Sequence, residues 1–417
     1  MMTQDLSFDL PRLPRIPNFA VNICSHGAVP GEEGLITQSI AAAIEACASA
    51  GGGRVVVPKG LWLTGPIHLC SHVELHLEHG AELRFSTQPE DYLPVVFQQR
   101  GGIRCYNYSP FIYAHECHDI AITGKGVLDG QGSSWWPWKQ QQPGMVDLFK
   151  ANAERRPVEQ RVYGTPEHGV RPPFIQTINC RNVLIEGLTL LNSPAWTIHP
   201  VWCEDLTVRH VKIKNPADAH NTDGIDPDGC RKVLIEHCRV DTGDDGICIK
   251  SGREYDGWES GRPCENILIR HCEVRSAHGG IVIGSEMAAG VRNVFAHNCC
   301  FNGTEIGIRL KTRMGRGGYI RDVRIEQIKM LNIRDDAILI TMRYNGEQLD
   351  AAMAGSLAIP TIENIALADI ECEPKDKAIR LFGLEGHPLR NISLARVSLQ
   401  SPEQIVQEFV TGLEFCP

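Results

Sequence analysis

The stretch Asn182-Val183-Leu184-Ile185-Glu186-Gly187-Leu188-Thr189-Leu190 decides the fold, because the chain repeats its pattern. Its apolar residues Val183, Ile185, Leu188 and Leu190 read as two short strands of period two joined at a bend. The pattern begins again at Asp205, Lys232, Asn266, Asn293, Asp322, Asn364 and Asn391, in steps of 23, 27, 34, 27, 29, 42 and 27 residues. A third strand often follows a turn, as in Gly246-Ile247-Cys248-Ile249-Lys250, Gly280-Ile281-Val282-Ile283 and Gly307-Ile308-Arg309-Leu310-Lys311. Three strands per coil, none able to close a core alone, predict an all-β chain folded as a right-handed parallel β-helix.

Earlier coils are visible around 72–85 and 118–128. Ahead of them Ile36, Ile40, Ile44 and Cys47 mark the apolar face of a helix over about 36–50, stopped by Gly51-Gly52-Gly53. An open solenoid end exposes apolar, unpaired backbone, and such a helix caps it. The whole of 1–417 therefore reads as a single solenoid domain. Long inserts at 131–173, 252–264 and 345–363 break its rhythm, and inserts of this kind become loops on one face.

Composition narrows the function. A net charge of -9 over 417 residues argues against a nucleic-acid or anionic-membrane binder. No run of about 18 apolar residues exists to span a bilayer. Residues 1–17 lack a basic stretch followed by an apolar one, which with 16 cysteines points to reduced thiols and a cytoplasmic location, or a secreted or periplasmic one if the numbering starts after a removed leader. The cysteines show no metal spacing: there is no Cys-x-x-Cys, and Cys299-Cys300 is a poor zinc pattern. Cys238, Cys272 and Cys299 share one interior column and read as core. His210, His237 and His271 share another, at a solvated corner, where simple stacking is the plain reading. No metal or other cofactor is expected.

The polar interruptions carry the chemistry. Aligning each coil on the Gly-Ile pair that opens its third strand sets Asp223 before Gly224, Asp244-Asp245 before Gly246, and His278-Gly279 before Gly280. Adjacent rungs lie about 4.8 Å apart, so residues 21 and 33 positions apart collapse onto one turn. Beyond the turn Ile308 and Leu310 point inward, so Arg309 and Lys311 point outward, with Lys250 in the column of Lys311. Clustered carboxylates raise one another's pKa, so one site holds a protonated acid beside an ionised base. Glycoside hydrolysis needs that pair, and the adjacent cations suit a carboxylated sugar. A solvated ladder of Asp and Lys is the bland alternative. A second pair, Asp335-Asp336, occupies the same turn two coils after His278, without matching neighbours, and reads as structural.

Asn221-Thr222-Asp223-Gly224, Gly243-Asp244-Asp245-Gly246, Ala277-His278-Gly279 and Arg309-Leu310-Lys311 resemble, in order, the four signature motifs of the polygalacturonases, glycoside hydrolase family 28. Gly246 and Ala277 depart from the residues many members carry there, and neither departure removes a reacting group. The resemblance implies a pectin-lyase-like solenoid and an inverting hydrolase of α-1,4-linked galacturonate, with a pectic oligo- or polysaccharide as its partner. It implies Asp244 as general acid, Asp223 and Asp245 as holders of the attacking water, and His278 as the group that tunes the acid. Asn221, Lys250, Arg309, Lys311 and Tyr344 are the implied substrate contacts. Inversion implies an acid-to-base separation of roughly 6.5–9.5 Å. The stretches Asn192-Ser193-Pro194-Ala195-Trp196 and Gly279-Gly280-Ile281-Val282-Ile283-Gly284-Ser285-Glu286 resemble the bacterial exo-acting branch.

Trp135, Trp136, Trp138, Arg155, Arg156, Arg161 and Arg171 fall in the 131–173 insert, which is expected to close one end of the groove into a pocket for a chain terminus. Packing of its aromatics against the solenoid is the alternative. Rival functions are hydrolysis of another pectic glycan (a rhamnogalacturonan hydrolase or rhamnosidase), a calcium-dependent lyase, and a non-catalytic binder of acidic polysaccharide.

Overall fold

The computed structural model describes residues 8–31, 34–344, 356–398 and 400–416. Parallel strands stack coil upon coil into a right-handed β-helix, in one 20-stranded and one 6-stranded sheet with smaller sheets beside them. The repeat register is the one the apolar columns require. Val183, Leu206, Val233, Ile267, Val294, Val323, Ile365 and Ile392 pair in succession. The third-strand column runs through Ile225, Ile247, Ile281, Ile308, Ile338, Ile379 and Ile405.

The first residue of every repeat adopts a left-handed backbone, from Asn182 at φ 54° to Asn391 at φ 55°. Seven of the eight starts are Asn or Asp, whose short polar side chains tolerate that conformation. Their amides form part of a ladder: Asn391 Nδ2 donates to Asn364 Oδ1 at 3.0 Å, and Asn364 Nδ2 to Asp322 Oδ1 at 3.0 Å. The bend between the first two strands repeats the device, with His210, His237 and His271 at φ 53–55°. These rings stack at 5.0 and 4.9 Å, as the solvated-corner reading expects.

Cys238, Cys272 and Cys299 are buried in the core. A second, longer cysteine column stands two residues ahead of the repeat starts. Register places Cys117, Cys180, Cys203, Cys230 and Cys264 on successive coils, their thiols within the packed wall. Helix Thr37–Ser49 buries Ile40, Ala43, Ile44 and Cys47 against the first coil.

The inserts are folded. The 131–173 segment contains helix Pro143–Ala153 and short 3-10 turns, and 252–264 contains helix Glu254–Ser260. Buried Arg161 reaches Asp256 at 2.8 Å and ties the two inserts together. Trp135 is buried among Tyr92, Tyr108, Phe111 and Trp138 and serves packing, while Trp136 and Trp138 are half-buried. An antiparallel hairpin, Val96–Arg100 with Ile103–Asn107, is a further excursion that the repeat pattern did not mark. Of the third insert, residues 345–355 lie outside the described residues.

Candidate active site

Three successive rungs meet at the turn that opens the third strand. Gly224 N donates to Asp245 O at 3.0 Å and His278 N to Asp244 O at 2.9 Å, which locks the three turns in register. The coil is tight here. A Cβ on Gly224 would lie 2.4 Å from Val240 Cγ1, and one on Gly246 2.4 Å from Val274 Cγ1, so the close approach demands glycine.

Asp223, Asp244 and Asp245 each present a carboxylate oxygen within 4.8 Å of the others. That is closer than the 6.5–9.5 Å expected for an inverting pair, because oxygens on neighbouring rungs are held near the rung spacing. Two oxygens at such a separation can share one water, with hydrogen bonds of about 2.8 Å to each. Buried Lys311 Nζ donates to Asp245 Oδ2 at 2.6 Å, and buried Lys250 Nζ lies 3.3 Å from Asp223 Oδ2 and 3.5 Å from Glu286 Oε2. Two ammonium groups thus stand where a divalent cation would have to bind, so the triad is a poor metal cage. Lys250 is also 4.3 Å from the Trp196 ring. Both lysines were expected to grip substrate; they line the cavity, and here their ammonium groups are paired with Asp245, Asp223 and Glu286.

Asp244 is held from several sides. Asn221 donates through its backbone N (3.0 Å) and Nδ2 (3.4 Å), Asp245 N donates at 2.9 Å, and His278 Nδ1 lies 3.3 Å away. Buried Arg171, from the insert, fixes Asn221 by donating to its Oδ1 at 2.9 Å. Burial opposes ionisation of Asp244, but the His278 hydrogen bond and charge, with Lys311 and Lys250, outweigh it and hold the carboxyl below the ordinary range. The same hydrogen bond raises His278 against the effect of its own burial. Asp223 goes the other way: burial, then the Asp244 charge, push it up to about 7. Near neutrality a proton within this carboxylate cluster is therefore favoured on Asp223 over Asp244. Beneath it Asp226 is fully buried with neither oxygen hydrogen-bonded, and burial raises its carboxyl too.

All nine residues singled out from the sequence line one cavity of about 700 Å³. Arg309 has no carboxylate partner among the described residues; its Nε is buried without a hydrogen bond, and its guanidinium sits 5.5 Å from the Tyr344 ring. With Lys139 in the same wall, it is free to receive an anion. The sequence reading missed Lys139, Phe149, Arg253, Arg313 and Arg316 in the same wall, and gave no site role to Trp196 and Glu286 of the exo-like stretches. Register offered a signal for one of them: Gly284 stands between Lys250 and Lys311, so Glu286 leaves the strand where those lysines do. Burial, then the charges of Arg100 and Arg171, lower the Lys139 pKa, which marks an excess of positive charge on the insert side.

The family model for glycosyl hydrolases family 28 matches residues 162–411. A probable polygalacturonase of Vitis vinifera is 31% identical over 84% of this chain and 67% of its own. Among solved structures, a hyperthermoactive exopolygalacturonase from Thermotoga maritima superposes with a TM-score of 0.87 at 40% identity, covering 93% of this chain and 88% of that one. A polygalacturonase from Erwinia carotovora ssp. carotovora gives 0.73 at 26%, covering 99% of each. The fold, the four ordered motifs and the carboxylate turn agree with these matches: the chain belongs to glycosyl hydrolases family 28 and is a glycoside hydrolase.

Proposed function

We propose that this enzyme hydrolyses α-1,4-galacturonosidic bonds of polygalacturonate and oligogalacturonides, working inward from a chain end with inversion. The observation that carries the reading is the pairing of a three-aspartate turn with an unpartnered Arg309 in one cavity. Arginine suits a planar carboxylate clamp. A neutral rhamnose at the cleavage site would leave Arg309 and the Lys139 side without a counter-charge, which favours galacturonate over the other pectic glycans.

Asp223 and Asp245 hold a water between them; as substrate binds, the proton favoured on Asp223 passes to Asp244, which gives it to the leaving oxygen while the freed Asp223 carboxylate takes the proton of the attacking water. Asp245 is pinned by Lys311, which makes it a better water holder than a nucleophile. A second assignment is favoured by one observation: burial and the Asp244 charge push the Asp223 carboxyl up to about 7, so it is the alternative acid. A substrate with an activated aryl leaving group separates the two, because loss of the true acid is then largely rescued.

Chain-end action is supported by the insert, which brings Lys139 and Phe149 to the cavity wall, and by the exo-acting Thermotoga relative. The sixteen free thiols support a reducing, cytoplasmic setting in which imported pectic fragments are trimmed. Digestion of long polygalacturonate tests the mode. Monomer release ahead of any fall in viscosity is expected; early viscosity loss with mid-chain products would sink it.

A further inference from the structure

Away from the catalytic cavity, the left-handed column of repeat starts continues backward from Asn182 into Asp119 and then His72, at φ 52° and 63°. His118 lies next to Asp119 in sequence, and the coils are joined there by His72 N donating to His118 O at 3.0 Å. One ligand atom each of His72, His118 and Asp119 lies within 4.8 Å of the other two. We propose that His72, His118 and Asp119 form a binding site for a zinc ion, completed by solvent.

The donor set is imidazole, imidazole and carboxylate, which zinc accepts. A tetrahedral ion with bonds of about 2.0–2.1 Å needs its ligand atoms roughly 3.3 Å apart. His118 Nδ1 lies 3.0 Å and His72 Nδ1 3.9 Å from Asp119 Oδ2, on either side of that value. The other carboxylate oxygen is already fixed: Asp119 Oδ1 accepts from Arg15 N at 2.8 Å and Asn182 Nδ2 at 3.2 Å. Such outer contacts orient a ligand before the metal arrives. Ring geometry separates this site from the longer histidine column. His72 and His118 are perpendicular, at 88°, so their in-plane lone pairs can converge. The rings of His210, His237 and His271 are nearly parallel, at 7° and 11°, so their lone pairs run side by side. Both ligand histidines are partly exposed, at 39% and 52%, leaving room for water ligands. The bound ion would link two coils to the N-terminal arm at Arg15.

Calorimetric titration of zinc into the chelator-treated full chain tests this. One ion per chain is expected, with a rise in melting temperature. His72→Ala and His118→Ala should each weaken it by roughly tenfold or more, with pectinolytic activity and the response of His237→Ala unchanged. Cobalt in the wild-type chain gives a second readout that needs no variant: nitrogen and oxygen ligation without a thiolate charge-transfer band. No binding, a thiolate band, or binding that survives the His72→Ala/His118→Ala double variant would overturn the site.

Discussion

Two turns of this solenoid carry the same Asp-Asp pair at the same point of the coil. At the first, Asp244 and Asp245 are met by Asp223 from one neighbouring rung and His278 from the other. Lys311 reaches back from the next coil, and inserts cover the whole. At the second, Asp335 and Asp336 meet one partner of note: Arg380 Nε donates to Asp336 Oδ1 at 2.9 Å, from a side chain 46% exposed. The motif is shared and the surroundings are not. Catalytic capacity here comes from what the adjacent rungs and inserts add to an aspartate pair, not from the pair.

Breaking the first turn has the largest expected effect. Asp245→Asn and Asp244→Asn should each lower kcat about 1,000-fold or more with folding intact, measured on trigalacturonate. Arg309→Gln comes next: loss of a charge-assisted carboxylate contact should cut kcat/KM about 10–100-fold, mostly through KM. The pH profile sharpens the contrast. Either assignment of the acid requires one proton among the three carboxylates, so kcat/KM should fall as pH rises through about 7, the value to which Asp223 is pushed.

Stability follows the same group. Its folded pKa of about 7 lies above the ordinary unfolded value near 3.9, so the folded state binds this proton more tightly. The stabilisation is full below about pH 4 and is lost as pH rises through about 7. Asp223→Asn should therefore be more stable than wild type at pH 8, by up to about 4 kcal/mol for the difference between a pKa of about 7 and one near 3.9, and by less at pH 5, in urea melts. The smallest effect belongs to the second turn. Asp336→Asn should change kcat by less than about twofold and stability by about 1 kcal/mol or less.

Much of this contrast is legible in the sequence, because a parallel coil converts alignment directly into proximity. Anchoring on Gly-Ile placed Asp223, Asp245 and Gly279 in one column and Lys250 with Lys311 in another, as the strand register has them. The Cys117 to Cys264 column obeys the same rule two residues before each repeat start, yet it escapes a reading centred on the apolar positions inside the repeat. Direction along the strand was readable; the reach of a side chain was not. Lys250 and Lys311 do point away from the core, but their long stems carry the ammonium groups back onto Asp223 and Asp245. The inserts obey no period, so the cavity wall at Lys139, Phe149 and Arg253 and the Arg161–Asp256 tie between inserts had no column to betray them.

The central claim is that Asp223 and Asp245 hold a water against the terminal unit of a galacturonate chain. Proton NMR of the first products from trigalacturonate tests it most directly. The account predicts that galacturonic acid monomer appears first and in the β configuration, inverted from the α-linked substrate. Monomer first formed as the α anomer would make one aspartate a covalent nucleophile and contradict it.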